Sequence, residues 1–106
     1  MREVLFLGEQ DGPSERDLKD QLSALFKSAS KVESAYLAVV GYEGGSDRSV
    51  ALCLTGVTDE ERPEIAKAVG RVFASIFNAR EHLDIMFPNM TQQVRLGEVC
   101  RPFFVR

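Results

Sequence analysis

Few side chains in this sequence of 106 residues have the chemistry of a nucleophile, a general base or a soft metal ligand. His82 is the only histidine, and Cys53 and Cys100 are the only cysteines. A Ser-His or Cys-His dyad would have to use His82, and a zinc site needs four ligands that are commonly Cys or His. These three residues belong to distant segments, so we expect neither a catalytic dyad nor a metal site, and no cofactor.

The two cysteines lack the CxxC spacing of metal and redox sites, and we expect both to be free thiols in a reducing compartment. Cys53 lies in an apolar run and is expected to pack as a small hydrophobic residue. Cys100 leaves two interpretations open. The adjacent Arg101 favours a reactive thiolate, which would allow a sulfur-carrier or redox role, whereas packing beneath the terminal Pro-Phe-Phe segment would make the thiol structural.

Acidic pairs and glycine clusters are the remaining candidates for chemistry. The acidic pairs are Asp17 with Asp20, Glu60 with Glu61, and Glu81 with Asp84. All lie at expected helix starts or connectors, where solvated capping is their usual role, and general acid–base work needs an environment that shifts a pKa. The glycines of residues 8–12 and 44–46 lack the Gly-Lys-Ser/Thr of a P-loop and the G-x-G-x-x-G of a dinucleotide site. The sequence therefore predicts no enzyme.

The charge balance argues against polyanionic partners. Thirteen Lys+Arg residues and sixteen Asp+Glu residues give a net charge of -3, without the basic stripe that nucleic-acid binding or an anionic membrane surface requires. The apolar runs are much shorter than the roughly 20 residues that span a bilayer. We expect a cytoplasmic protein that binds neither nucleic acid nor membrane.

Apolar periodicity divides the chain into strands and helices. The expected strands are residues 4–7, 35–42, 49–57 and 83–87, with an extended piece at 101–106. The first expected helix runs from a Ser14 cap to about 28–31. The second runs from a capping box at residues 58–61, or from as late as Arg62, to a cap at Asn78, and the third from Asn89 or Thr91 to about Val99. Residues 4–7 are uninterruptedly apolar, which predicts a strand buried on both faces.

The segment 49–57 sorts its side chains by size, since neighbouring residues of a strand point to opposite faces. Val50, Leu52 and Leu54 form a face suited to helix packing, and the small residues between them form a face suited to a close neighbour or to solvent. The glycines of 43–47 favour a hairpin between this strand and the preceding one.

The element order β-α-β-β-α-β predicts a single α+β domain over residues 1–106 with a ferredoxin-like antiparallel sheet. Two helices would cover one sheet face, and a short C-terminal helix and strand would be additions. The other face would then carry Tyr36 and Tyr42, unless the C-terminal helix covers it.

Four ordered segments carry a family resemblance. They are residues 4–9 (VLFLGE), 35–38 (AYLA), 83–85 (LDI) and 99–104 (VCRPFF). Together they resemble the C-terminal domain of the enhanced serine sensitivity protein family, SseB, over essentially the whole chain. The resemblance implies a bacterial, cytosolic protein linked to a serine-sensitivity phenotype, with no accepted catalytic residue or cofactor. Tyr36, Pro102, Phe103 and Phe104 match recurring family positions, although the family commonly has Tyr at position 104.

We therefore expect a non-enzymatic protein-interaction or regulatory module, whose partner is another protein or a second copy. The candidate interaction surface comprises Tyr36, Tyr42, Pro102, Phe103 and Phe104. The alternative is an amino-acid sensor similar to ACT domains, which share the element order and hold amino acids near the first strand–helix loop, here residues 8–12. A third function is the sulfur-carrier or redox role of Cys100.

Overall fold

The computed structural model describes residues 4–29, 31–78 and 81–106. The strands are β1 (Val4–Glu9), β2 (Ser34–Tyr42), β3 (Arg48–Thr55), β4 (Asp84–Met86) and β5 (Phe104–Val105). The helices are α1 (Pro13–Ala29), α2 (Arg62–Ile76) and α3 (Met90–Val99). All eight elements occur in the predicted order, so the mixed α+β class is confirmed.

One sheet contains all five strands, in the order β1-β2-β3-β4, with β5 also paired to β2. β2 is antiparallel to β1, β3 and β5, whereas β3 and β4 are parallel. Both β1 and β5 pair with β2. β1 pairs with the second half of β2, and β5 pairs with Ser34 and Ala35 at its start. The sheet is thus built around β2 and β3.

The ferredoxin-like arrangement is not matched cleanly. A split βαβ unit inserts a strand between the two strands that a helix connects. Here α1 connects β1 to β2, and α2 connects β3 to β4, and in each case the connected strands are direct neighbours. The prediction failed because the order of elements along a chain does not determine which strands pair.

The expectation that the first strand is buried on both faces was wrong for the same reason. β1 is an edge strand in which buried and exposed positions alternate, and Leu5 and Leu7 are exposed. Its register with β2 shifts between Phe6 and Gly8, so that Leu7 is the extra residue of a β-bulge.

Two clusters of buried side chains cover opposite faces of the sheet. The helix-side cluster consists of Leu18, Leu22, Phe26, Val32, Ala35, Leu37, Leu52, Leu54, Ile65 and Val69. The α3-side cluster consists of Ala38, Val40, Ala51, Cys53, Leu96 and Cys100. The predicted size sorting of β3 is confirmed, because the large aliphatic residues meet α1 and α2 while the small ones allow α3 to approach closely.

The helix ends lie near the predicted ones, but three predicted caps were wrong. α1 begins at Pro13, so Ser14 lies inside the helix. Glu61 and not Thr58 is the N-cap residue of α2, and its C-cap is Phe77 and not Asn78. α2 begins at Arg62, preceded by a turn in which the Thr58 hydroxyl donates a hydrogen bond of 2.8 Å to Glu61 Oε1. This bond is the main reason that the pKa of Glu61 is lowered. α3 begins after Asn89, which forms the capping box with Gln92. α1 ends at Ala29, which lies within the predicted range of 28–31. Residue 30 of that range lies outside the described residues.

The hairpin between β2 and β3 turns at Gly44, whose φ of 79° is a conformation that side chains disfavour. The predicted glycine turn is therefore confirmed at this residue. The hairpin sets the long β2–β3 register, in which Tyr36 pairs with Cys53 and Ala38 with Ala51.

Candidate functional site

The sheet face that was expected to remain open is covered by α3. Tyr36 is half-buried against the α3-side cluster, while Tyr42 is exposed at the hairpin end of β2, opposite Val4. The alternative in which the C-terminal helix covers this face is confirmed. The two tyrosines therefore do not share an open surface.

Phe103 and Phe104 face the opposite side of the sheet and pack against the helix-side cluster. The Phe104 ring meets Phe26 edge to face, with 5.7 Å between the ring centroids. The Phe103 amide donates to Ala35 O at 2.9 Å. Pro102 is exposed. Of these three residues, only Pro102 is classed as exposed, and Phe103 and Phe104 are half-buried.

Arg106 secures the C-terminal segment to α1. Its guanidinium lies over the Phe104 ring and donates hydrogen bonds to Val32 O and Phe26 O. Phe26 O belongs to the last turn of α1, where carbonyl groups lack helical partners and a cation is favourable. The residues at the end of the chain thus stabilise the helix-side layer.

A charged cluster joins β1, α1 and the segment after α3. Lys19 Nζ lies 3.3 Å from Glu9 Oε2 and 3.4 Å from Asp11 Oδ1, and the Lys19 side chain is only 12% exposed. The other Glu9 oxygen accepts a hydrogen bond of 3.2 Å from the Arg101 amide. Both oxygens of Glu9 are therefore engaged inside the protein.

The exposed apolar residues are concentrated on β1, at its partner Tyr42, and on α3. The six are Leu5, Leu7, Tyr42, Met90, Val94 and Val99. They do not share one face, because Val4 and Phe6 pack on the α3 side and Leu5 between them therefore points to the helix side. We call the part on the α3 side, Tyr42, Met90 and Val94, the β1–α3 surface. α3 packs against β1, so the two elements are adjacent. None of the six residues belongs to either core cluster.

Within α3, the apolar residues occupy two sides of the helix. Leu96 is fully buried, whereas Met90 is 83% exposed and Val94 is 65% exposed. Because residues four apart share a helix face, Met90 and Val94 form one stripe, and Leu96 with Cys100 forms another. A surface helix buries only one stripe. This spacing was the sequence signal for the exposed stripe, and the sequence prediction missed it.

The two thiols are buried in the α3-side cluster, where neither forms a disulfide. Burial raises the pKa of Cys53 to about 12 and that of Cys100 to about 11. Cys100 Sγ donates to Leu37 O at 3.5 Å. Packing of Cys53 as a small hydrophobic residue is confirmed. Cys100 also packs, but with the α3-side cluster and not beneath Phe103 and Phe104.

His82 lies in a solvated connector, as predicted, with its side chain 75% exposed and its Nε2 2.6 Å from Asp84 Oδ1. It also stands at the mouth of a cavity of about 110 Å³ on the helix side of the sheet. The other polar residues at this cavity are Gln10, Glu15 and Glu81. Gln10 comes from the first strand–helix loop and donates to Glu15 Oε1 at 3.4 Å.

The floor of this cavity is apolar and comprises Leu18, Leu37, Val50, Phe73, Phe77 and Leu83. Ligand pockets for drug-sized molecules occupy about 300–1,000 Å³. The cavity therefore accommodates only a small ligand. The apolar part of such a ligand would lie inside the cavity, and its polar part would face the carboxyl groups of Glu15 and Glu81 and the imidazole of His82.

Across residues 4–29, 31–78 and 81–106, no group of three His, Cys, Asp or Glu side chains is arranged to hold a metal ion. Over the same residues, no helix has the length and apolar character needed to cross a membrane.

Comparison with known proteins identifies the chain by one match. The model of the SseB protein C-terminal domain matches residues 5–106, which is nearly the entire sequence. No curated protein and no solved structure was found to match. The resemblance inferred from the four ordered segments is thereby confirmed: the chain belongs to the SseB C-terminal domain family.

Proposed function

We propose that this domain is a non-enzymatic protein-interaction module and that its partner docks on the β1–α3 surface. The observation that carries the proposal is the exposed stripe of α3, where Met90 and Val94 stand in solvent beside the edge strand β1. Exposed apolar patches commonly mark partner sites. This location replaces Tyr36 and Phe104 as the centre of the candidate surface, since both pack against the core.

The chemistry of the other candidates supports a role without catalysis. The raised pKa values of both thiols disfavour the thiolate that a sulfur carrier or redox centre needs. His82 is solvated and hydrogen-bonded to Asp84. We also propose a bacterial, cytoplasmic location, which fits two buried thiols that remain unpaired.

Site-specific photo-crosslinking tests the interaction module. A photoreactive amino acid placed at Val94 is expected to capture a defined protein in cells that express the domain, whereas the same group at Val105 is not. Val105 is the matched control because it is equally exposed, at 67%, but lies on β5. The captured protein is then purified and titrated with the domain. Binding that survives Val105→Asp but is lost in Val94→Asp supports the proposal, and equal capture at both positions contradicts it.

A second candidate function, the binding of a small amino acid, is favoured by the cavity near the first strand–helix loop. Gln10 and Glu15 bring that loop and α1 to the cavity mouth, where a ligand ammonium group could meet Glu15 and Glu81. A ligand that binds only the folded state must raise the thermal midpoint. Serine and other amino acids at millimolar concentration are therefore expected to stabilise the wild type and not Glu15→Gln. Absence of any shift in the wild type would rule out this function.

A further inference from the structure

We propose that a cavity between the end of α1 and the start of α2 binds a free α-amino acid with a short apolar side chain. The inference goes beyond the interaction module, which concerns the α3 side of the sheet. Among the described residues, this cavity also shares no lining residue with the cavity of the second candidate function. The two cavities can therefore be tested separately.

The lining of this cavity is mostly apolar, and its volume is about 210 Å³. Of the lining residues, Val32 is fully buried and Ile65 is 8% exposed. The other apolar residues are Leu25, Val57 and Ala68. Since an apolar cavity of about 150 Å³ can hold benzene, this one has room for a short aliphatic side chain.

The charged residues of the cavity come from two walls. Lys31 belongs to the connector between α1 and β2, whereas Glu61 and Glu64 belong to the start of α2. Residues three and four apart lie on the same face of a helix, so the two carboxylates stand on the face that contributes Ile65 and Ala68. Lys31 and Glu64 are exposed, which places them at the opening. The opening therefore carries a positive charge on one wall and negative charges on the other.

These opposite charges do not neutralise each other by direct contact. Within the described part of the chain, neither Lys31 nor Glu64 takes part in an ion pair. Glu61 is held in place by Thr58, whose amide and hydroxyl donate to Glu61 Oε1 at 3.2 and 2.8 Å. These hydrogen bonds, and to a smaller extent the charge of Lys31, lower the pKa of Glu61. Its carboxylate is therefore ionised at neutral pH.

A ligand that satisfies this opening needs both an ammonium and a carboxylate group. The α2 carboxylates would repel a simple carboxylate, and Lys31 would repel a simple amine. An α-amino acid carries both groups at one end and its side chain at the other, so its ammonium can meet Glu64 while its carboxylate meets Lys31. A peptide separates these two groups by its own length. The apolar lining favours valine over serine, because a buried hydroxyl without a partner is costly.

An NMR titration of the isotope-labelled domain with L-valine is the direct test. We expect saturable shifts at the amides of Val32 and Ile65. Isobutylamine is valine without its carboxylate, and isovalerate is valine without its ammonium. Each should bind at least roughly tenfold more weakly, since each lacks one charge-assisted hydrogen bond. Absence of saturable shifts with L-valine, or equal affinity for isobutylamine, overturns the inference.

Substitution of the two charges provides a second test. Lys31→Gln and Glu64→Gln should each weaken L-valine binding by roughly tenfold or more. The matched controls Lys27→Gln and Glu60→Gln remove the same charges at exposed positions that do not line this cavity, and they should leave the affinity unchanged. Equal weakening in the controls would contradict a direct contact with the ligand.

The same titration separates this site from the second candidate function. Glu15→Gln should leave the binding of L-valine unchanged. Shifts confined to the amides of Gln10 and Glu15 would place the ligand in the other cavity, which would support the second candidate function and overturn this inference. If L-valine binds here and serine produces no thermal shift, the inference holds and the second candidate function fails.

Discussion

The two faces of the sheet are covered very differently. On the helix side, α1 and α2 bury Leu18, Leu22 and Phe26 together with large aliphatic residues of β2 and β3. On the other side, α3 is held by Leu96 and by Cys100 just beyond its end, against small residues of the same strands. We infer that the first face supplies most of the stability, and that α3 is a thinner cover whose outer stripe remains free to bind.

Truncating Phe26 tests the stronger half of this comparison and should have the largest effect. The side chain is fully buried and contacts the Phe104 ring. We expect Phe26→Ala to lower the free energy of unfolding by about 3–5 kcal/mol, measured by urea denaturation. The control is the neighbouring exposed residue Lys27, because Lys27→Ala should change the free energy of unfolding by less than about 0.5 kcal/mol. A loss below about 1 kcal/mol in Phe26→Ala would remove the claim that this face dominates stability.

Truncating Leu96 tests the thinner cover. Because Leu96 is the only fully buried residue of α3, Leu96→Ala should lower the free energy of local opening of α3 by about 2–3 kcal/mol. Hydrogen exchange should show faster exchange in α3, with a smaller change in α2. Equal acceleration in both helices would mean that α3 and the helix-side layer unfold as one unit, and the two faces would not differ as proposed.

Removing the cap of α3 is expected to have a smaller effect in the same direction. Asn89 Oδ1 accepts the Gln92 amide at 2.9 Å, and Asn→Ala at an N-cap costs about 1 kcal/mol. We expect Asn89→Ala to loosen α3 by about that amount in hydrogen exchange. Thr91→Ala, at an exposed position of the same helix, should not. An unchanged exchange rate in Asn89→Ala would show that packing alone positions α3.

Both thiols lie on the α3 side of the sheet. Their titration should change the free energy of unfolding at alkaline pH and leave it unchanged near neutrality. The folded state holds the protons of Cys53 and Cys100 up to pKa values of about 12 and 11, whereas unfolded thiols release theirs from about pH 8.5. The free energy of unfolding should therefore fall as pH rises from about 8.5 to 11. The decline should be shallower in a variant with both Cys53→Ala and Cys100→Ala. Parallel pH profiles for the two proteins would contradict the raised pKa values.

The sequence predicted the elements well because their signals are local. The Asn89 cap of α3 and the turn at Gly44 each depend on a few neighbouring residues. Strand order depends on which distant segments pair, and the apolar run of β1 is compatible with either a central or an edge position. The bulge at Leu7 and the pairing of β5 with β2 are likewise tertiary outcomes.

The candidate surface was predictable only in part. The coverage of Tyr36 depends on where α3 docks, which no local pattern specifies. The two apolar stripes of α3, by contrast, can be predicted from the sequence, because Met90 and Val94 are four residues apart, as are Leu96 and Cys100. A helix with two such stripes predicts that one of them is exposed.

The pairing of β5 with β2 has a consequence for the order of folding. The β2–β3 hairpin closes a short loop, whereas the contact between Ala35 and Phe104 joins residues that are far apart in the sequence. Closing longer loops costs more entropy, so we expect the hairpin to form in the transition state and the final strand to dock after it. Destabilising substitutions at Phe104 would then mainly accelerate unfolding and leave the refolding rate nearly unchanged.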